Sequence, residues 1–375
     1  MRIGFDAKRA AQNRTGLGNY SRFVINGLVN YAAGNEYFLY IPSVAKATLL
    51  GRLSQVAKIC SPTGVWRKLS SLWRVWGVTA DVRKDNISLY HGLSGELPLT
   101  ISKATHTKSI VTIHDLIFLR YPEYFHYIDR KIYTYKFRKA CQQADRIIAV
   151  SECTKRDVVT YFKMPEEKID VVYQGCDSLF KQEASAELKK EVRQKYRLPE
   201  KYLLYVGSIE TRKNLLLVAK ALKYLQEPIS VIAIGKRTPY TQQVESYLKE
   251  NQLENRMTLL SNIPFRELPA FYQMATTFVY PSLFEGFGIP LLEALNSGVP
   301  AIGATGSCLE EAGGPFSLYV DPEDAAGLAG AIERTWNDKE LRNKMIEEGR
   351  RYALQFEEVK LTTDMINVYN RTMSL

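Results

Sequence analysis

Short apolar runs alternate with amphipathic stretches along the whole chain. The first run, Arg2 to Asp6, is strand-like, and a polar loop ending in Thr15-Gly16-Leu17-Gly18 follows it. Tyr20, Phe23, Val24, Gly27, Leu28 and Tyr31 then recur at the spacing of one helical face. Further strand-like runs fall at 37–41, 87–90, 109–113, 146–150 and 169–173, with helical patterns at 129–144 and 152–162 between them. From Asp177 to Glu200 the chain turns charged and poor in apolar residues, which predicts a linker carrying a solvated helix. Apolar runs restart at 202–206, 229–234, 257–260, 277–280 and 299–302, and three helical segments close the chain at 324–337, 339–354 and 357–372. Strands alternating with helices predict parallel, doubly wound α/β sheets, here two in series without a fixed-period repeat. The expected division is a Rossmann-like domain over 1–180, a second over 181–355, and a last helix over 356–375 packing back on the first. In such folds ligands bind beyond the carboxyl ends of the strands, so a cleft between two facing sheets is the expected place for a substrate.

A chain of 375 residues suits two cores better than one. With 46% hydrophobic and 24% charged residues, composition excludes disordered, collagenous and coiled-coil classes. No window nears the ~18 consecutive apolar residues of a membrane span, and Asp6, Lys8 and Arg9 interrupt the start before a signal-peptide core could form. The expected location is cytoplasmic, peripheral at the inner face of the membrane. Five scattered cysteines without a CxxC pair argue against a disulfide framework or a cysteine-rich zinc site.

Net charge is +10, and its placement is uneven. Residues 1–180 hold 26 Lys and Arg against 15 Asp and Glu, while 181–375 hold 24 against 25. Either the first half faces an anionic partner or the excess serves solubility. Within it, Trp66, Leu69, Trp73 and Trp76 share one helical face while Arg67, Lys68 and Arg74 lie elsewhere. That pattern fits a helix lying on an anionic membrane surface, and equally a helix burying its tryptophans.

Four segments carry candidate chemistry. Gly16-Leu17-Gly18 lies between strand and helix, where backbone can approach a phosphate or sugar, or simply make a tight turn. It fails as a dinucleotide fingerprint because Ser21 fills the third glycine position. His114, directly after a strand, either bonds a substrate oxygen or is satisfied by backbone; His91 is ambiguous in the same way. Arg212 and Lys213 follow the first strand of the second half at an expected helix start, where cations oppose the helix dipole and either invite an anionic ligand or form a solvated surface pair. The stretch FEGFGIPLLEAL places Glu285 before a helix running from about Ile289 to Ser297, and Glu293 near its first turn. The backbone of Gly286, Phe287 and Gly288 then makes an anion site beside two acids suited to accept hydrogen bonds from sugar or ribose hydroxyls.

The motifs FEGFGIPLLEAL, GSIETRKN at 207–214, TGLGNY at 15–20, HGLSGELP at 91–98, TIHDLIFLRYPEYF at 112–125 and YQGCD at 173–177 occur in one order across nearly the whole chain. In this combination the chain resembles the retaining GT-B glycosyltransferases of family 4, the glycosyltransferase group 1 type. The resemblance implies transfer of a hexose from a nucleoside-diphosphate sugar, GDP-mannose or a UDP-sugar, to a glycan or lipid-linked glycan in surface polysaccharide synthesis. It implies that Glu285 meets donor sugar hydroxyls and Glu293 the ribose. Arg212 and Lys213 would neutralise the diphosphate together with Gly286–Gly288, Gly16 and Gly18 would approach the donor from the first domain, and His114 would touch the donor sugar. Ser208 stands where many members of the family carry arginine, and Glu310 where proline is common before the acid that matches Glu311. The chain holds no DxD triplet, so no metal or other cofactor is expected. Two rivals remain, a nucleotide-sugar epimerase on a related fold and a basic nucleic-acid-binding protein; no recognisable nucleic-acid-binding module is present.

Overall fold

A computed structural model describes all 375 residues, Met1 to Leu375. They divide into two compact units, Met1–Gly175 with Phe356–Leu375, and Cys176–Gln355.

The first unit is built on seven parallel strands: β1 (Arg2–Asp6), β2 (Glu36–Tyr40), β3 (Lys58–Cys60), β4 (Leu89–Gly92), β5 (Lys108–Ile113), β6 (Arg146–Ala149) and β7 (Ile169–Val171). Their spatial order is β3-β2-β1-β4-β5-β6-β7. Register sets Phe5 against both Leu39 and His91, and Ile110 against Arg146. The central strands are buried but for Lys108 at the start of β5 because helices cover both faces, which is why they read as continuous apolar runs. Tyr20, Val24 and Leu28 bury the inner face of the Gly16–Tyr31 helix, and the Glu358–Met373 helix packs beside it. There Tyr369 bonds His91 Nδ1 at 2.7 Å, while His91 Nε2 meets Thr112 Oγ1 at 2.8 Å. His91 is thus a fully buried core residue, which resolves its ambiguity.

The tryptophan segment is not the continuous amphipathic helix that its spacing predicts. It breaks into a 3-10 turn (Gly64–Arg67), a single α turn (Ser70–Leu72) and a π turn (Trp73–Gly77). Trp73 is buried with Nε1 donating to Asp81 at 2.7 Å, whereas Trp76 is exposed. Arg74 turns inward and pairs with Asp6 at 2.5 Å and Glu96 at 2.6 Å. The tryptophans therefore do not share one face, and a main cation of the expected membrane surface is spent inside the unit.

The second unit has six parallel strands: β8 (Leu203–Val206), β9 (Val231–Ile234), β10 (Met257–Leu260), β11 (Thr277–Tyr280), β12 (Ala301–Ala304) and β13 (Leu318–Val320), in the order β10-β9-β8-β11-β12-β13. Strand order reverses between β8 and β11, which pair through Leu204 and Phe278. Loops leaving those two neighbours run in opposite directions and open a crevice, the usual ligand position in doubly wound sheets. The segment before this sheet carries a short helix, Ala186–Tyr196, with only Val192 buried. No helix is long and apolar enough to cross a membrane.

Candidate functional site

The loops following β8 and β11 carry Arg212, Lys213 and Glu285, and they are stitched together. Arg212 O accepts from the Leu283 amide at 2.8 Å and from Ser282 Oγ at 3.2 Å. Asn214 holds the turn in a left-handed conformation, φ 59°, and donates from Nδ2 to Pro281 O at 3.1 Å and Pro322 O at 2.8 Å. Arg212 and Lys213 consequently sit in a 3-10 turn, Thr211–Lys213, before the Leu215–Ala221 helix begins.

Arg212 reaches Glu285 Oε1 at 2.8 Å, Glu210 at 2.9 Å and Phe284 O at 2.5 Å. Glu285 Oε1 also accepts from Tyr280 at 2.7 Å and Ser282 at 3.0 Å. Burial alone would raise the Glu285 pKa, but Lys213, Arg212 and the Tyr280 hydrogen bond outweigh it and hold the group below its usual value. Glu285 is therefore a carboxylate, an acceptor for hydroxyls. Lys213 Nζ stands 5.5 Å from the centre of the Tyr280 ring. Its charge acts on Glu285 and on Glu293 alike.

Glu293 lies in the second turn of the Ile289–Asn296 helix, not the first. Pro290 occupies the first turn, and Gly288 caps the helix at φ 114°, a conformation that only glycine adopts without strain. A Cβ on Gly288 would also come within 2.8 Å of Leu309. The Phe287 ring is in the core, which confines any ligand contact there to the backbone. Glu293 Oε2 accepts from Tyr272 at 2.9 Å. Burial, with Asp177 adding to it, pushes its pKa up to about 7, against the pull of Tyr272 and Lys213. One carboxylate is thus charged and the other balanced near neutrality, a contrast common at functional sites.

In the first unit His114 ends up directly after β5. Its Nε2 donates to Leu93 O at 2.9 Å, and Tyr20 packs edge-on at 4.5 Å between ring centres. Burial lowers its pKa to about 4, with Arg9 adding to the effect and the Leu93 bond opposing it. A neutral ring with Nε2–H committed leaves Nδ1 as an acceptor, suited to a hydroxyl and unsuited to a bare phosphate. Gly16 and Gly18 open the Gly16–Tyr31 helix, but for different reasons. A Cβ on Gly18 would lie 1.9 Å from Asn13 O, so the turn itself demands glycine. Around Gly16 a Cβ would meet nothing within 4 Å.

The structure therefore gathers Arg212, Lys213, Glu285, Gly286–Gly288 and Glu293 at the reversal point of one sheet, and Gly16, Gly18 and His114 in the other unit. Sequence reasoning missed Tyr272, Tyr280, Ser282 and Asn214, which hold the two carboxylates and the loops. The tyrosines read as core residues, and only their hydroxyl ends reach the carboxylates; Asn214 carried one signal, an asparagine at a turn before a helix.

The sequence pattern of the Glycosyl transferases group 1 matches residues 188–352, and that of Glycosyltransferase Family 4 matches residues 15–178. The O-antigen chain mannosyltransferase B of Escherichia coli is 29% identical, over 98% of this chain and 99% of its own. Among solved structures, sucrose-phosphate synthase from Thermosynechococcus elongatus superposes with a TM-score of 0.81 at 20% identity, covering 100% of this chain and 99% of that one. The Anabaena protein HepE, solved with UDP and glucose, gives 0.76 at 18% identity, covering 99% and 100%. With both halves matched and both parallel sheets shared, the chain belongs to the GT-B glycosyltransferases built from family 4 and group 1 domains.

Proposed function

We propose that this glycosyltransferase moves a mannosyl residue from GDP-mannose to a growing lipid-linked surface polysaccharide, with retention of configuration and without a metal ion. The observation that carries the reading is the cluster of Lys213, Arg212, Glu285 and Glu293 at the β8/β11 crevice, which pairs cations for a diphosphate with acceptors for hydroxyls. Similarity to an O-antigen mannosyltransferase along the full length of both chains supports the sugar and the acceptor class. In the reaction the bond from the sugar C1 to the diphosphate oxygen breaks, and a bond from an acceptor hydroxyl oxygen to C1 forms. The hydroxyl proton passes to the departing phosphate on the same face. Lys213, assisted by Arg212, offsets the charge growing on the diphosphate. Glu285 accepts hydrogen bonds from donor sugar hydroxyls and Glu293 from the ribose. His114 contributes Nδ1 as an acceptor for a sugar hydroxyl, and the open space at Gly16 leaves room for close approach of the donor. A UDP-hexose donor is the second reading, favoured by the UDP and glucose bound to the structurally similar HepE.

Thermal denaturation with GDP, UDP, ADP and dTDP in chelator tests the donor, because ligand at ~100 times its Kd adds about 2.7 kcal/mol. GDP is expected to raise the melting temperature of the wild type and not of Glu293→Ala. Transfer of mannose from GDP-mannose to a lipid-linked acceptor, with the anomer read by NMR, then tests the reaction. A shift by UDP alone sinks the mannosyl reading, and no shift by any nucleotide sinks the donor site.

A further inference from the structure

A recess of about 770 Å³ opens in the first unit at the amino ends of β4 and β5, between the Val78–Lys84 helix and the loop 104–107. It lies far from the carboxyl ends that carry His114. Thr107 lines it just before β5, and His114 follows that strand at its other end, roughly 20 Å away at ~3.3 Å per residue. Arg83, Lys84 and His106 line the recess, and no carboxylate does. The acids nearby are committed elsewhere: Asp85 accepts from Lys58 at 3.0 Å and from Tyr40 at 3.0 Å, and Asp81 accepts from Trp73 at 2.7 Å. Cations in the last turn of a helix ordinarily serve its free carbonyls. Here the backbone already does so. Asn86, held at φ 49°, donates its amide to Arg83 O at 3.1 Å, Ile87 donates to Val82 O at 3.1 Å, and Asp85 to Asp81 O at 2.8 Å. The Arg83 and Lys84 side chains are therefore exposed beside a concavity with neither a carbonyl to cap nor an acid to pair with.

We propose that this recess binds a phosphorylated sugar, at a site separate from the β8/β11 crevice. Two long cations and an imidazole without counter-ions suit a phosphate dianion. The volume is that of a small-molecule site and far exceeds what a bare phosphate ion fills. Hydroxyls and an amide are at hand for the rest of such a ligand. Ser88 Oγ accepts from the Arg2 amide at 3.4 Å, which leaves its proton to donate, and Thr105 and Asn86 add a second hydroxyl and the amide. The Thr107 hydroxyl is spent on Ile87 O at 2.8 Å and fixes the wall. No Phe, Tyr or Trp lines the recess to stack a nucleobase, which favours a sugar phosphate over a second nucleotide. The site lies wholly in the first unit, and its occupancy depends on neither donor nor acceptor.

His106 reports on the recess directly. The full chain has four histidines, so carbon-labelled histidine rings give a simple NMR spectrum in which His106→Asn assigns the signal. Glucose 6-phosphate is the probe, titrated at constant pH and low salt, with glucose and inorganic phosphate as controls. The His106 signal is expected to move saturably with glucose 6-phosphate, not with glucose, and only weakly with inorganic phosphate. Combined Arg83→Ser and Lys84→Ser substitution is expected to weaken that binding roughly tenfold or more, as two charge-assisted bonds are lost, with an unchanged melting temperature. Lys213→Ala is expected to leave it as in the wild type. A His106 signal that stays still at millimolar glucose 6-phosphate overturns the proposal. So does a double variant that binds like the wild type, or inorganic phosphate that binds as tightly as the sugar phosphate. Loss of the response in Lys213→Ala would place the ligand in the second unit and overturn it as well.

Discussion

Removal of Arg212 would leave Glu285 buried with one cation fewer, and an unpaired buried charge costs about 3–5 kcal/mol. Arg212→Ala is therefore expected to lower both stability and activity, whereas Lys213 makes no such short ion pair. Lys213→Ala should cut kcat by roughly 10²–10³ with the melting temperature nearly intact, as when one preorganised donor is removed. Turnover within a few-fold of wild type would end the assignment of the leaving group to Lys213. The glycines part in the same way. Gly18→Ala must push Asn13 O aside, at about 1–3 kcal/mol, while Gly16→Ala should stay within about 0.5 kcal/mol of wild type in chemical denaturation. Loss of donor affinity in Gly16→Ala would then report on the ligand and not on the fold; equal destabilisation by both would refute the distinction. From sequence both glycines looked alike, because the carbonyl that excludes a Cβ at Gly18 belongs to the turn before the helix.

Elements whose apolar residues keep a regular spacing over four or more residues were legible. The strands Met257–Leu260 and Thr277–Tyr280 and the helix Glu152–Phe162 have the bounds that their periodicity predicts. β3 and β13 escaped notice because each is a three-residue, partly buried edge strand with no apolar residues beyond it to lengthen the run, as Val172 and Tyr173 lengthen that of β7. The tryptophan segment failed for another reason: Arg74 must reach Asp6 and Glu96, and that ion pairing overrides the regular 3.6-residue period. The loops at the β8/β11 crevice follow strands, as their sequence positions predict, yet the bonds joining them were not readable. Those bonds make a prediction. Asn214→Ala loses two side-chain bonds and must hold a positive φ without asparagine's tolerance, so it should destabilise by ~2–3 kcal/mol and raise the donor KM. Asn214→Gly keeps the φ and loses the bonds, so a fully restored KM in Asn214→Gly would show that conformation, not stitching, shapes the crevice.

Across the whole molecule Glu293 and the two buried histidines should answer acid in opposite senses. Glu293 keeps its proton up to about 7 in the fold against 4.5 for a free glutamate. Between those values the folded state binds more protons at this group than the unfolded chain, so the contribution of Glu293 falls as pH rises from about 4.5 to about 7. His91 and His114, pushed by burial to about 3 and about 4 from 6.5, act in reverse: the unfolded chain takes up the protons, and their contribution falls as pH falls below about 6.5. Glu293→Gln removes the opposing slope, so its melting temperature should drop more steeply on acidification through that window than that of the wild type. Parallel curves would mean that Glu293 titrates as a free carboxylate. His91 has a further consequence through its bond to Tyr369. The helix that closes over it is made only after all of residues 176–355, so a ribosome delivers the second unit complete while the first still lacks its last piece. Folding during synthesis must then run out of numerical order, with the first-made sheet waiting for the last helix, and a premature stop near residue 355 would spare the second unit and strand the first.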